Sequence, residues 1–342
     1  MSSDDSPSSG AAEAPGQASE PAVVGTQRRV PDFFLVGHPK SGTTALYEML
    51  RTHPQVYMPD LKEPSYLAPD QPRRFQRAGT GALPSTLEEY LALFAPAPAG
   101  LRAGEASSAY LMSHAAPGLI AEIQPRARVV AILREPASLL RSLHLQFLQD
   151  HVESEKDLRT AISLEGARSE GRQIPPSSPR PDALQYSERV RFAAQLRRYH
   201  AALPREQVLV LIYDDFRNDN EVTVRQVLRF LDVDDRLPVH VREANPTVRM
   251  RSQQLDQLVH SVSVGRGPLS RAAKASVKAL MPRRLRRGAL GVVRRRVVVA
   301  PPGAADGELM LELRRRYKPE VEAVSEYLGR DLVSLWGYDE IE

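Results

Sequence analysis

Short apolar runs, each followed by a stretch with helical periodicity, recur along the chain. Phe33-Phe34-Leu35-Val36-Gly37 is a run of the length and character of a buried strand, and from about Thr44 the residues Leu46, Met49 and Leu50 share one helical face. RVVAILREP (128–136) is a second such run, and its closing Pro136 suits the first turn of a new helix. VLVLIYDDF (208–216) is a third. Before it, Phe192, Leu196, Tyr199 and Leu203 mark an amphipathic helix; after it, Val224, Val227, Leu228 and Leu231 mark another. Strands alternating with helices predict an α/β fold with a central, mainly parallel sheet and right-handed crossovers. Ligands of such sheets gather at the carboxyl ends of the strands.

The remaining segments set the domain organisation. Residues 1–29 are rich in Ser, Ala, Pro and Gly and lack large apolar side chains, so they are expected to form a disordered tail before one domain at 30–342. SEGRQIPPSSPRPD (169–182), with four prolines, is expected to be a mobile surface loop bordering a cleft. Residues 266–296 hold eleven Lys or Arg and no acid, which predicts a basic helical insertion or lid over 266–298. A solvated basic face, a lid over an acidic substrate and a peripheral membrane contact are the three uses open to it. In the closing segment Tyr317, Val321, Val324 and Leu328 lie on one helical face that stops at Gly329, ahead of the single tryptophan, Trp336.

Composition narrows the chemistry. The chain has 342 residues and no cysteine, which excludes disulfides, thiolate metal sites and cysteine nucleophiles. The first residues have neither a positive n-region nor an apolar h-region, and no apolar stretch approaches the roughly 20 residues of a membrane span, so a cytoplasmic protein is expected. Forty arginines stand against six lysines, a skew that GC-rich coding explains without invoking function. It makes each lysine worth inspecting, and Lys40 and Lys62 both fall in segments that carry candidate chemistry.

GHPKSGTT (37–44) follows the first apolar run. The phosphate-binding loop G-x-x-x-x-G-K-[ST] cradles phosphate on backbone N–H groups and a helix N-terminus, with its lysine on the terminal phosphates. Gly37, Gly42 and Thr44 match that spacing, but Thr43 occupies the lysine position and the lysine stands inside the loop at Lys40. Nucleotide hydrolases also hold Mg²⁺ through an Asp at the end of another strand. Here the run VVAIL ends at Arg134, a cation that repels Mg²⁺ and attracts phosphate or sulfate. The loop therefore reads as a metal-free anion site.

PKSGTT (39–44) is similar to the 5′-phosphosulfate loop of the sulfotransferase family, and LREPASLLRS (133–142) to its 3′-phosphate motif, in which an Arg and a Ser eight residues later bind the extra phosphate. QVYMPDLKEPSYL (55–67) resembles the KEP segment of carbohydrate-type and bacterial members, and GEASSAYL (104–111) their E-x-S-P-A-Y stretch. LIYDDF (211–216) resembles the strand ending near the adenine, and the resemblance runs from Phe33 to Tyr338, loosely between about 240 and 305. It implies a P-loop-like three-layer α/β/α fold and transfer of a sulfuryl group from 3′-phosphoadenosine 5′-phosphosulfate (PAPS) to a small-molecule, lipid or sugar acceptor, leaving the bisphosphate PAP and needing no metal. It further implies that Lys40, Ser41, Gly42, Thr43 and Thr44 hold the 5′-phosphosulfate, that Arg134 and Ser142 hold the 3′-phosphate, that Tyr213 approaches the adenine and that Arg249 and Arg251 add basic contacts. Glu63 is then the general base and Lys40 the cation at the leaving oxygen, with His38 and His114 as rival bases. Carbohydrate-type relatives place a lysine where this chain has Ala106, so either Lys62 supplies a second cation or Lys40 acts alone. The Arg-rich bias and bacterial-type KEP segment suggest an actinobacterial enzyme acting on a natural product or glycolipid. Two other readings compete: a P-loop kinase or NTPase, and a membrane- or nucleic-acid-binding module built on 266–296. Against single-strand nucleic-acid binding, that segment lacks interleaved aromatic residues.

Overall fold

The structure, a computed structural model, describes residues 29–71, 83–176, 178, 181–239, 249–250, 299–300 and 306–342. Five strands, β1 (Phe33–Gly37), β2 (Val56–Tyr57), β3 (Arg102–Ala106), β4 (Arg128–Leu133) and β5 (Val208–Ile212), form one sheet in the order β2-β3-β1-β4-β5. Every pairing in it is parallel. A short antiparallel pair, β6 (Arg249–Met250) and β7 (Val299–Ala300), stands apart from it.

β1 is buried along its whole length because helices cover both faces of the sheet. Phe33 and Leu35 point to one side, where they meet Leu46, Met49 and Leu50 of α1 (Thr43–Arg51), Phe216 of α8 (Tyr213–Asn218) and Val224, Val227 and Leu228 of α9 (Asn220–Phe230). Phe34 and Val36 point to the other. That core takes in α2 (Leu87–Ala92), α3 (Ala116–Ile123), α4 (Pro136–Gln149), α5 (Leu158–Ser163), α7 (Phe192–Ala202), α10 (Gly307–Leu328) and α11 (Leu332–Leu335). The outcome is the expected three-layer α/β/α fold. The short α6 (Glu165–Ser169) carries Arg168, which is 1% exposed and forms a two-pronged pair with Glu153 at 2.7 and 2.9 Å.

The second and third apolar runs stop earlier as strands than their sequence suggests. β4 ends at Leu133 because Glu135 caps α4, accepting from the Ala137 and Ser138 N–H groups at 3.2 and 2.6 Å, with Pro136 in the first turn. β5 ends at Ile212, which pairs with that last residue of β4, so nothing remains to continue the ladder. The chain turns into α8 instead, with Asp214 and Asp215 in its first turn, where acids favour a helix N-terminus.

β3 has no apolar run to announce it. Its Gly104 packs so closely that a Cβ would lie 2.1 Å from the Phe33 ring and 2.5 Å from the Met58 sulfur. Small residues, not large ones, make this a core strand. At the C-terminus, Tyr317, Val321 and Val324 are buried, and Gly329 ends α10 in the left-handed conformation at φ 61.

Of the expected disordered tail over 1–29 only Arg29 lies within the described residues, where it donates to Asp32 at 2.8 Å. The basic insertion over 266–298 lies outside them. So do residues 177, 179 and 180 of the expected loop 169–182, whose end is a single 3-10 turn at Pro181–Leu184. No helix among the described residues is long and apolar enough to cross a membrane.

Candidate active site

β1 and β4 lie side by side at the centre of the sheet, and the chain leaves them toward opposite edges, to β2 on one flank and β5 on the other. Such a switch point opens a crevice above the carboxyl ends of the two strands. The loop 37–44 rises from β1 and Arg134 from β4.

The loop keeps its shape through unusual backbone angles. Gly37 has φ 155, Lys40 has φ 75 and Gly42 has φ 91. For a non-glycine residue such as Lys40 the left-handed region is uncommon and is tolerated where surrounding contacts fix it. Gly42 is also the N-cap of α1, with no side-chain cap there. The first N–H groups of that helix are therefore not satisfied by a cap, as anion-binding helix starts require. A Cβ at position 42 would come within 3.1 Å of both the Tyr213 and Phe216 rings, so only glycine lets those rings close against the loop. Ser41 is fully buried, and its hydroxyl has no hydrogen-bond partner among the described residues. A buried hydroxyl without a partner is costly, and a tetrahedral anion in the loop would supply the acceptor it lacks.

Across the crevice, Arg134 reaches back to the loop and donates from Nη1 to the Lys40 carbonyl at 2.6 Å. Its guanidinium lies over the Tyr213 ring, 4.8 Å from the centroid. Burial pulls Arg134 below its ordinary value, with Tyr213, Glu135 and Asp214 acting the other way. One of its five N–H donors is committed to the loop. Lys40, Ser41, Gly42, Arg134 and Tyr213 thus form one cluster. Ser142 is buried on α4, about 9 Å along the helix from Pro136 at 1.5 Å per residue. Arg249 belongs to β6 by its backbone, but its side chain and all of Arg251 lie outside the described residues.

Glu63 arrives from the β3 side. Its N–H donates to the Ala106 carbonyl at 2.9 Å, at the end of the strand that pairs with β1 through Leu35 and Ala106. The carboxylate takes the Lys62 ammonium at 2.8 Å and the Ser108 hydroxyl at 3.2 Å. Glu63 and Ser65 both hold positive φ, 61 and 50. Lys62, next to the end of β3 where Ala106 stands, is therefore held against this carboxylate.

Of the two histidines, His38 is the less suited to proton transfer. His38 is 1% exposed, bonds Gln195 through Nε2 at 2.9 Å, and is driven by burial and then by the Arg189 cation down to about 3. Such a group accepts protons poorly near neutral pH. His114 is exposed, and its backbone N–H is tied to Asp70 at 2.7 Å.

Reading the sequence did not single out the supports of this site. Glu105 is fully buried in β3, and burial lifts it to about 7. Glu135, beside Arg134, accepts from the Tyr338 hydroxyl at 2.6 Å, while Asp214, beside Tyr213, accepts from the Trp336 indole at 2.9 Å. The C-terminal tail thereby pins both segments that carry the crevice wall. An acid amid small residues in GEASS was the available signal for Glu105; long-range partners such as Tyr338 leave none.

The chain spans less than half the length of the curated relatives it matches. Human carbohydrate sulfotransferase 15 is 30% identical over 35% of this chain and 28% of the relative. Its mouse counterpart is 26% identical over 60% and 44%. Human bifunctional heparan sulfate N-deacetylase/N-sulfotransferase 3 is 27% identical over 60% and 22%. Among solved structures, a sulfotransferase from Alicyclobacillus acidocaldarius has the same fold, with a TM-score of 0.64 and 22% identity over 90% of this chain and 99% of that one. The model of the sulfotransferase family matches residues 31–236, which contain the loop, Glu63, Arg134 and Tyr213. The chain belongs to the sulfotransferase family of enzymes.

Proposed function

We propose that this protein transfers a sulfuryl group from PAPS to a hydroxyl of a small-molecule, lipid or sugar acceptor. The observation that carries the reading is the pairing of an anion-shaped loop, with the Ser41 hydroxyl buried and unpartnered, and a guanidinium where a nucleotide hydrolase keeps its metal-binding acid. The loop's N–H groups and the Ser41, Thr43 and Thr44 hydroxyls take the 5′-phosphosulfate. Lys40 neutralises the bridging oxygen as the S–O bond breaks, which is electrostatic stabilisation of developing charge. Arg134, through the donors that do not serve the Lys40 carbonyl, and Ser142 take the 3′-phosphate. The forked guanidinium suits two phosphate oxygens at once. Tyr213 lies beside the adenine, and Arg249 and Arg251 add charge from the segment after α9.

Glu63 takes the acceptor's proton, and the attacking oxygen displaces PAP in line. Lys62, already paired with it at 2.8 Å, holds this carboxylate in place. The matched relatives are named for carbohydrates and heparan sulfate, so sugars are the first acceptor class to screen, with natural products and glycolipids next.

Calorimetry with PAP and with ATP, both in EDTA, tests the donor site. Binding of PAP without binding of ATP is expected; ATP binding that depends on magnesium overturns the reading in favour of a kinase. Labelled PAPS offered to a panel of sugars and glycolipids then identifies the acceptor.

A further inference from the structure

Glu63 sits in a left-handed conformation, as does Ser65 two residues on. Side chains there cost energy and persist only where neighbours over-determine the backbone. The contacts that fix this stretch converge on one buried group.

The Ser65 N–H donates to the Ser107 hydroxyl at 3.0 Å, and that hydroxyl donates to Glu105 Oε1. The Leu67 N–H donates to the Tyr110 hydroxyl at 3.1 Å, and that buried hydroxyl feels the charge of Glu105. Tyr90, from α2, donates its hydroxyl to Glu105 Oε2 at 2.9 Å. A hydroxyl has one hydrogen to give. Because Ser107 receives a backbone N–H on a lone pair, its own hydrogen is left for the carboxylate. The polarity runs in a single direction, from the backbone at 65, through the Ser107 hydroxyl, to Glu105.

We propose that Glu105 is a positioning residue that sets the backbone of the segment 63–67, and with it the aim of Glu63, through the Ser107 hydroxyl, with the Tyr110 hydroxyl beside it holding the Leu67 N–H. The proposal rests on the reading of Glu63 as the base, and it concerns a group that touches neither donor nor acceptor. A carboxylate accepts the Ser107 and Tyr90 hydroxyls at once; its protonated form carries a hydrogen of its own and opposes one of them. Neutral side chains at 105 therefore leave one relay without its acceptor. The titratable groups facing Glu105 are Lys62 from the segment itself, Tyr90 from α2, Tyr110 from the turn after β3 and Tyr199 from α7. Among them only Lys62 is a cation. Glu105 is raised to about 7 chiefly by burial, so the relay weakens as the pH falls through that range.

The test compares Glu105→Gln, Tyr110→Phe, Ser107→Ala and Glu63→Gln with the wild type. Hydrogen exchange of the peptide covering 62–68, PAP binding by calorimetry and sulfate release from labelled PAPS are followed across pH 6 to 8.5, a range of about one to two units around the Glu105 value. Expected for Glu105→Gln are faster exchange at 65 and 67 and unchanged exchange in 39–44. Release should fall by about 10²-fold with PAP affinity within about twofold, as misplacement of a reacting group does. The wild type should lose release and exchange protection together as pH falls through about 7, and Glu105→Gln should show neither change there. If Glu105→Gln fails to fold, Tyr110→Phe and Ser107→Ala must each show the same split to a smaller degree. Wild-type exchange and release in these variants overturn the proposal, as does parallel loss of PAP affinity. Should Glu63→Gln keep wild-type release while exchange at 65 and 67 still follows Glu105, the base assignment fails and the relay stands as a structural device.

Discussion

Arginines line both edges of the central sheet, and they do different things at each. At the amino edge, Arg102 and Arg128 both donate to Asp232, and each also donates to a carbonyl at the end of α9, Leu231 for Arg102 at 2.9 Å and Phe230 for Arg128. Their charges close the C-terminus of a helix, where cations are favoured. At the carboxyl edge, Arg134 lies on an aromatic ring and gives a donor to a loop carbonyl. Beside it a buried serine hydroxyl has no partner among the described residues, and a lysine holds a left-handed turn. At one edge these arginines close on partners within the fold; at the other, on the proposed function, the polar groups face an anion. On the proposed function, stability and chemistry fall at opposite ends of the same strands.

The separation can be broken most severely at Lys40. Replacing it with Ala is expected to lower sulfuryl transfer by about 10²–10³-fold, the usual loss on deleting one donor aimed at developing charge, while melting temperature stays within a few degrees. Arg134→Ala comes next. Two charge-assisted hydrogen bonds at about 1.5–3 kcal/mol each imply a loss of PAP affinity of at least about 100-fold by calorimetry. Equal PAP affinity in that variant would mean that the crevice is not the bisphosphate site.

An acid-limb measurement sharpens the comparison further. His38 binds no proton in the folded chain until about pH 3, whereas an unfolded chain takes one up near 6.5. Its folded value is lowered, so its contribution to stability is complete above 6.5 and is lost as pH falls from there toward 3. His38→Gln, which keeps an amide toward Gln195, should flatten the fall of melting temperature over that window. The smallest effect is expected at the amino edge. Asp232→Asn weakens pairs whose acid is 58% exposed, worth at most about 1 kcal/mol, and should leave PAP binding unchanged.

Much of the frame was legible because the local rules agree there. The runs at 33–37, 128–133 and 208–212 are apolar, the first two buried nearly throughout and the third, at the sheet edge, buried at Val208, Leu211 and Ile212, and the helices beside them carry clean apolar stripes. The loop 37–44 was legible too, since glycine spacing and a displaced lysine are sequence features. What escaped was whatever depended on a distant partner. β3 reads as a run of small residues until Phe33 and Met58 close over Gly104. Tyr213 reads as the end of a strand until β4 stops supplying hydrogen-bond partners at Leu133.

By itself, then, the sequence determined an α/β chain with an anion loop after its first strand and an arginine after a later one, because periodicity and loop glycines act within a few residues. Only the tertiary structure decided that these two meet across a switch point, that Glu63 is tied to the end of β3, and that a buried Glu105 gathers the hydroxyls behind it. They rest on contacts between residues 94, 45 and 15 positions apart. Such contacts are fixed by the packing of whole strands and helices, which no local pattern encodes.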